Sequence, residues 1–239
     1  MIFALAILMA ALSSSDAVAT LLNSRSSVSV ARYNSALELV KKEAKEGKPL
    51  QQFVIAVTTD DKSLASKYLA ASREKIKFMA EKRDNPLAWY LLSLERNDYK
   101  CLQKAAQGGN VQALNALGTI VTQEAFNQKG VSTNVIESVL KKSFGYFRQA
   151  ALQKDANGLI NLGTCYLRGF GCEIDFRLAF LCFEAAAQLG HPEGMDYLSA
   201  CYEHGHGVKR NQNASLFWRM KAKSLRGDKA AAEWLKKSH

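Results

Sequence analysis

The sequence predicts an all-α fold, an α-solenoid of stacked antiparallel helix pairs. Three observations carry that prediction: a segment that recurs at a fixed interval, apolar residues three and four apart within each copy, and paired glycines between the helical stretches. Cys165 and Tyr166 return 36 residues later as Cys201 and Tyr202. The same interval takes Leu162 to Leu198, Gly169 to Gly205, Gly171 to Gly207 and Ala186 to Ala222. Only 3 prolines interrupt the 239 residues, which leaves room for helices throughout.

Within one copy the elements follow in order. Leu159, Leu162, Cys165 and Tyr166 share one face of a first helix. Gly169 and Gly171 permit a tight turn at positive φ. Asp175 is placed to cap a second helix, whose expected buried stripe is Leu178, Ala179, Cys182, Phe183 and Ala186. Gly190 ends it. The small residues Gly163, Ala179 and Ala186 let neighbouring helices approach closely. Such a pair cannot bury its apolar face alone, so the copies must stack.

The two clear copies are residues 157–192 and 193–227, followed by a capping helix at 228–239. An earlier copy, 110–156, is stretched: "KAAQGGNVQALNALG" aligns with "QAALQKDANGLINLG", so that Gly118 meets Gly163 at 45 residues. Of the nine extra residues, four fall between Gly118 and Gly130, about one turn of the first helix, which keeps the apolar face in register. The other five fall around Ser132 to Asn134. Residues 85–109 read as a degenerate copy with almost no loop. Residues 20–84 read as further helices, either divergent copies or an N-terminal cap; Val30, Tyr33, Leu37 and Val40 have helical spacing, and "KKEAKEGK" reads as a solvated face.

The first 19 residues differ in kind. "MIFALAILMAALSSSDAVA" holds an apolar run from Ile2 to Leu12 and then Ala17, Val18 and Ala19, the pattern of a secretory signal cleaved after Ala19. The run is too short to span a bilayer, which takes about 20 residues. Export, to a periplasm or beyond, is therefore expected, with no stable membrane insertion.

The residues that carry the repeat also carry a resemblance. Leu162, Gly163, Tyr166, Gly169, Gly171, Asp175, Ala179, Ala186, Ala187 and Gly190 meet the pattern of the Sel1-like repeat family, relatives of the tetratricopeptide repeats. Cys172 stands where the family has Val, Cys182 and Phe183 where it has an aromatic pair, and Ser199 replaces the glycine in the next copy. The resemblance implies an α-solenoid that acts as a binding scaffold or adaptor, with no catalytic residues common to the repeat and no cofactor. Bacterial members include immunity proteins that block a toxic effector, which suits a small, exported, basic chain.

Other chemistries fit the sequence less well. "RGFGCEID" follows a helix and lacks the Lys-Ser/Thr of a phosphate-binding loop. Cys165 and Cys172, with His204 and His206 in the next turn, lack the closely paired ligands of a zinc site. No nucleophile, base and orienting carboxylate stand together, so no catalytic residue is expected; the rival reading is a secreted hydrolase with a Cys/His site on a repeat scaffold. In an oxidising compartment a disulfide could join Cys165 to Cys182, or Cys182 to Cys201; otherwise these are small buried hydrophobes. A cysteine-rich branch of the family has bridges within its repeats, at a spacing this chain does not reproduce.

The net charge of +10 suits an acidic partner. Candidate binding residues are the variable exposed slots Arg168 and Glu203, with the basic C-terminal patch of Lys209, Arg210, Lys223 and Arg226. The expected partner is a protein with an acidic surface. Nucleic acid is not expected, because Phe217, Trp218 and Trp234 sit at positions read as core, leaving no exposed aromatics among the cations.

Overall fold

The computed structural model describes residues 30–59, 61–127 and 132–237. The segment read as a leader, the turn residue Gly130 and the terminal His239 lie outside the described residues. Twelve helices and no strand occur among those that are described. They form two compact units, divided between Gln112 and Ala113.

In the first unit α1 (Val30–Lys45), α2 (Pro49–Thr58), α3 (Lys62–Arg83), α4 (Pro86–Arg96) and α5 (Tyr99–Gln107) each pack on the next. Their starts are set by local chemistry. Asp61 accepts hydrogen bonds from the Ser63 and Leu64 amides, Asn85 from Ala88, and Asp98 from Lys100 and Cys101. Pro49 and Pro86 occupy first-turn positions, where the missing N–H has no cost. Val40, Phe53, Val54, Ile76, Leu91 and Leu92 form the core. The Lys/Glu run of α1 is not wholly solvated: Glu43 is buried, held by Lys48 Nζ at 2.5 Å and by Gln51 Nε2 at 3.0 Å. A buried carboxylate needs such partners, and they come from the next helix and its cap.

The second unit holds α6 (Val111–Asn127, its first two residues preceding the unit boundary), α7 (Thr133–Leu152), α8 (Ala156–Arg168), α9 (Phe176–Gln188), α10 (Pro192–His204), α11 (Gln212–Leu225) and α12 (Lys229–Lys237). It is a stack of antiparallel helix pairs. The stretched copy gains its length in helix: α6 has 17 residues and α8 has 13, while α7 has 20 and α9 has 13. The surplus expected around Ser132 to Asn134 thus enters α7, which begins at Thr133.

Contacts repeat with the sequence. The turn after α8 lays Gly171 so close to α7 that a Cβ there would stand 2.3 Å from the Leu140 carbonyl oxygen. The turn after α10 lays Gly207 on α9, with the corresponding distance to Phe176 O being 2.1 Å. The Asp175 amide donates to Tyr166 O and the Asn211 amide to Tyr202 O, both at 2.9 Å. Tyr166 meets Phe144 edge-on and Tyr202 meets Phe180 edge-on, both at 5.6 Å. Each pair also closes on a small residue: a Cβ on Gly118 would be 2.4 Å from Phe147, and one on Gly163 would be 2.7 Å from Phe183. Where Ser199 replaces that glycine, Ser215 on the facing helix accepts its hydroxyl hydrogen bond at the backbone oxygen, at 2.8 Å. The exchange satisfies a buried hydroxyl that would otherwise cost free energy.

Some expected core positions differ. In α8 Ile160 is buried and Leu159 only partly so; in α9 Leu178 is exposed, and the stripe is Ala179, Phe183, Ala186 and Ala187. The alanines set that stripe, since neighbouring backbone reaches them: Gly194 of α10 packs on Ala186 and Ala187. Phe217, Trp218 and Trp234 are only partly buried. Lys221 lies against both Trp218 and Phe217.

Candidate functional site

The inter-helix turns bring the variable residues to one edge of the second unit. Arg168 ends α8, exposed, with its guanidinium carbon 5.9 Å from the Phe170 ring centre. Lys209 and Arg210 are exposed in the turn after α10, where Arg210 Nε donates to Glu203 O at 2.9 Å. The Glu203 carboxylate pairs with Arg219 of α11, so it is already engaged within the fold.

Lys223 and Arg226 lie elsewhere. They stand at the far end of α11, roughly 20 Å along the axis from its start at the turn edge. Arg226 pairs with Asp196 of α10 at 2.5 Å. The six candidate residues therefore form two groups, because an antiparallel helix carries the chain away from the turn edge before Lys223 is reached.

The cysteines separate too. Cys165, buried in α8, shares an apolar cluster with Phe147 and Leu162, against which Cys172, Cys182, Phe144, Tyr166 and Phe170 pack. Cys201 belongs to another cluster, with Ala179, Phe183, Met195, Leu198 and Ala222. Cys101 lies in the first unit, its thiol 3.4 Å from Asp98 Oδ2. All five are thiols in this structure. Burial pushes Cys165 up to about 12, helped by Cys172 and Cys182 nearby, and pushes Cys182 and Cys201 up to about 11. A thiol nucleophile needs the opposite shift. Among the described residues no three His, Cys, Asp or Glu side chains are placed to hold a metal ion, and no helix is long and apolar enough to cross a membrane.

His191, which reads in the sequence as one more turn residue, is buried between copies. It stands at the N-cap of α10, and its Nε2 lies 3.1 Å from Asn157 Oδ1 of α8. Its Nδ1 is buried without a partner. Burial, with Arg226 nearby, lowers its pKa from 6.5 to about 4. The unfolded chain takes up this proton first, so the stability from neutral His191 is complete above about pH 6.5. It is lost as pH falls toward 4, in total up to about 3 kcal/mol. Asp155, raised by burial, acts in the opposite sense as pH rises above 3.8. Urea melts of the full chain between pH 7 and 4 should show the decline, and His191→Asn, which removes the titrating ring and is a favoured N-cap residue, should flatten it.

Two first-unit features carry no sequence signal. A shallow groove is lined by Pro49, Glu74, Lys75, Phe78, Met79 and Arg83. Lys104 also lies 4.1 Å from the Trp89 ring centre.

The Sel1 repeat profile matches residues 99–110, 111–155, 156–191 and 192–218. The last three matches begin where α6, α8 and α10 begin. Among solved structures, a Sel1 repeat protein from Oxalobacter formigenes is 23% identical over 54% of this chain and 92% of its own, with a TM-score of 0.46. The protein c5321, a protective antigen of uropathogenic Escherichia coli strains displaying an SLR fold, is 19% identical over 85% of this chain and 55% of its own, with a TM-score of 0.40. Helicobacter pylori cysteine rich protein B is 25% identical over 56% of this chain and 94% of its own, with a TM-score of 0.39. No curated protein matches the chain. On the profile match, which runs without a gap through half of the sequence, the chain belongs to the Sel1 repeat family.

Proposed function

We propose that the protein is an exported, non-catalytic scaffold that binds another protein through an acidic surface of that partner. One observation carries the reading. What the copies share is spent on construction, whereas the exposed turns differ between them. The recurring Gly, Tyr and Cys residues turn the chain or fill the stack. The exposed turn residues change from copy to copy, Arg168 becoming His204 at the same slot. That is the division of labour expected of a repeat scaffold. Export rests on the leader-like segment, and the acidic partner on the excess of 32 Lys and Arg over 22 Asp and Glu. A narrower form of the same role, an immunity protein that covers the site of a toxic effector, suits a basic exported chain of this size.

The hydrolase reading draws no support from the thiols, which burial holds protonated, nor from His191, whose second nitrogen is sealed in the stack. The test is crosslinking in the source organism with affinity-tagged full-length protein, followed by capture and sequencing of the processed N-terminus. The expected result is one enriched protein partner and a chain beginning at Thr20. A chain beginning at Met1 with no enriched partner would overturn the proposal.

A further inference from the structure

The turn edge of the second unit carries a row of exposed rings and cations in successive turns. Phe126, at the end of α6, is 57% exposed and contacts Phe170 with ring centres 5.1 Å apart. Ile174, 60% exposed, folds over Gly169 in the same turn. Phe176, 43% exposed, stacks on His206 of the next turn at 4.7 Å and 11°, and His206 contacts His204 at 5.6 Å. The row therefore crosses three successive copies.

Its charge is one-sided. Arg168, Arg177, Lys209 and Arg210 are exposed along it. Of the acids at this edge, Asp175 is committed to the cap of α9 and Glu203 to Arg219, which leaves Glu173 and, beside Phe126, Glu124. The row is also held in place: Gly171 and Gly207 seat each turn against the preceding copy's backbone, and Arg210 is tied to Glu203 O. A partner would lose little freedom of this surface on binding, which favours affinity.

We infer that this row is the docking surface for an extended acidic segment of a partner protein, one that alternates carboxylates with apolar side chains. The inference rests on the scaffold reading and gives it a place. Three helix pairs about 10 Å apart present a row of about 20 Å, the length of roughly six extended residues. Carboxylates meet the arginines, and apolar side chains cover Ile174 and the exposed edges of Phe126 and Phe176. Single-stranded nucleic acid fits less well, because base stacking needs open ring faces. Here Phe176 and His206 each cover one face of the other, and Arg168 lies over Phe170.

The test uses the full chain and fluorescein-labelled peptides of eight residues, one alternating Asp with Leu or Phe and one with Lys in place of Asp, alongside ten-residue oligothymidylate. Fluorescence anisotropy should show the acidic peptide binding and the basic one not. Arg168→Glu with Arg177→Glu, or Ile174→Ser, should weaken binding at least tenfold with no change in melting temperature. The double charge reversal Lys67→Glu with Lys82→Glu, on the exposed surface of α3, should change it less than twofold. The inference is overturned if the acidic peptide does not bind, if the α3 reversal weakens it equally, or if oligothymidylate binds more tightly. It is equally overturned if the row variants abolish self-association of the chain and leave peptide binding intact. Should the crosslinked partner be retained by the row variants, this surface falls while the scaffold reading stands; should no partner be captured, the scaffold reading itself falls.

Discussion

Gly207→Ala is expected to destabilise the full chain by about 3 kcal/mol or more, lowering its melting temperature by roughly 6–12 °C. Two costs combine. Residue 207 has φ +73°, where an L side chain costs about 1–2 kcal/mol. Its new Cβ would also meet the Phe176 carbonyl oxygen at 2.1 Å, and backbone cannot swing aside as a flexible side chain does. Gly171→Ala should behave alike, with Leu140 O at 2.3 Å. Gly190 and Gly227 supply the comparison: both have positive φ, yet nothing lies within 4 Å of a Cβ at either. Their alanine variants should therefore cost only the conformational part. Equal losses at all four sites would show that the turns are not seated on the preceding copy.

Phe183→Ala should cost about 3–5 kcal/mol, the range for removing a fully buried phenyl ring. Phe183 is 0% exposed, stacks on Tyr197 at 4.6 Å and closes on Gly163. The contact with Gly163 makes a sharper prediction than the loss itself. In the wild type Gly163→Ala puts a methyl 2.7 Å from the ring and should destabilise. After Phe183→Ala the same change has room and should stabilise by up to about 1 kcal/mol through helix propensity. A double-mutant cycle should thus show a change of sign. Gly118 and Phe147 should give the same cycle in the preceding copy, where the pair recurs.

The sequence made legible what is local and what repeats. Gly169, Gly171 and Asp175 act through their own φ or the next turn of helix, so residue type and spacing suffice to place them. Contacts made between copies were less legible. His191 looks like any turn residue, yet the neighbouring helix that supplies Asn157 buries it. Leu178 fits the periodicity of α9, but packing turns the helix so that the alanines, not the leucine, meet the next backbone. Glu43 sits in a charged run and is buried because Gln51 and Lys48 fold back onto it. The six candidate binding residues were recognisable as variable and charged. Their separation into two groups follows from helix direction, which a list of basic residues does not encode. The row from Phe126 to His206 was missed for a related reason. Its members are distant in sequence, and only stacking of the turns brings them side by side.

The central claim is that cysteines and glycines build this protein while its exposed turns bind a protein partner. The most direct test is the affinity of the full chain for the crosslinked partner, measured at low and high salt with all five cysteines present and with all five replaced by alanine. The account predicts similar affinity for both chains, once each is shown to be folded, and weaker binding of both at high salt. Affinity flat with salt, or partner turnover abolished along with the cysteines, would contradict it.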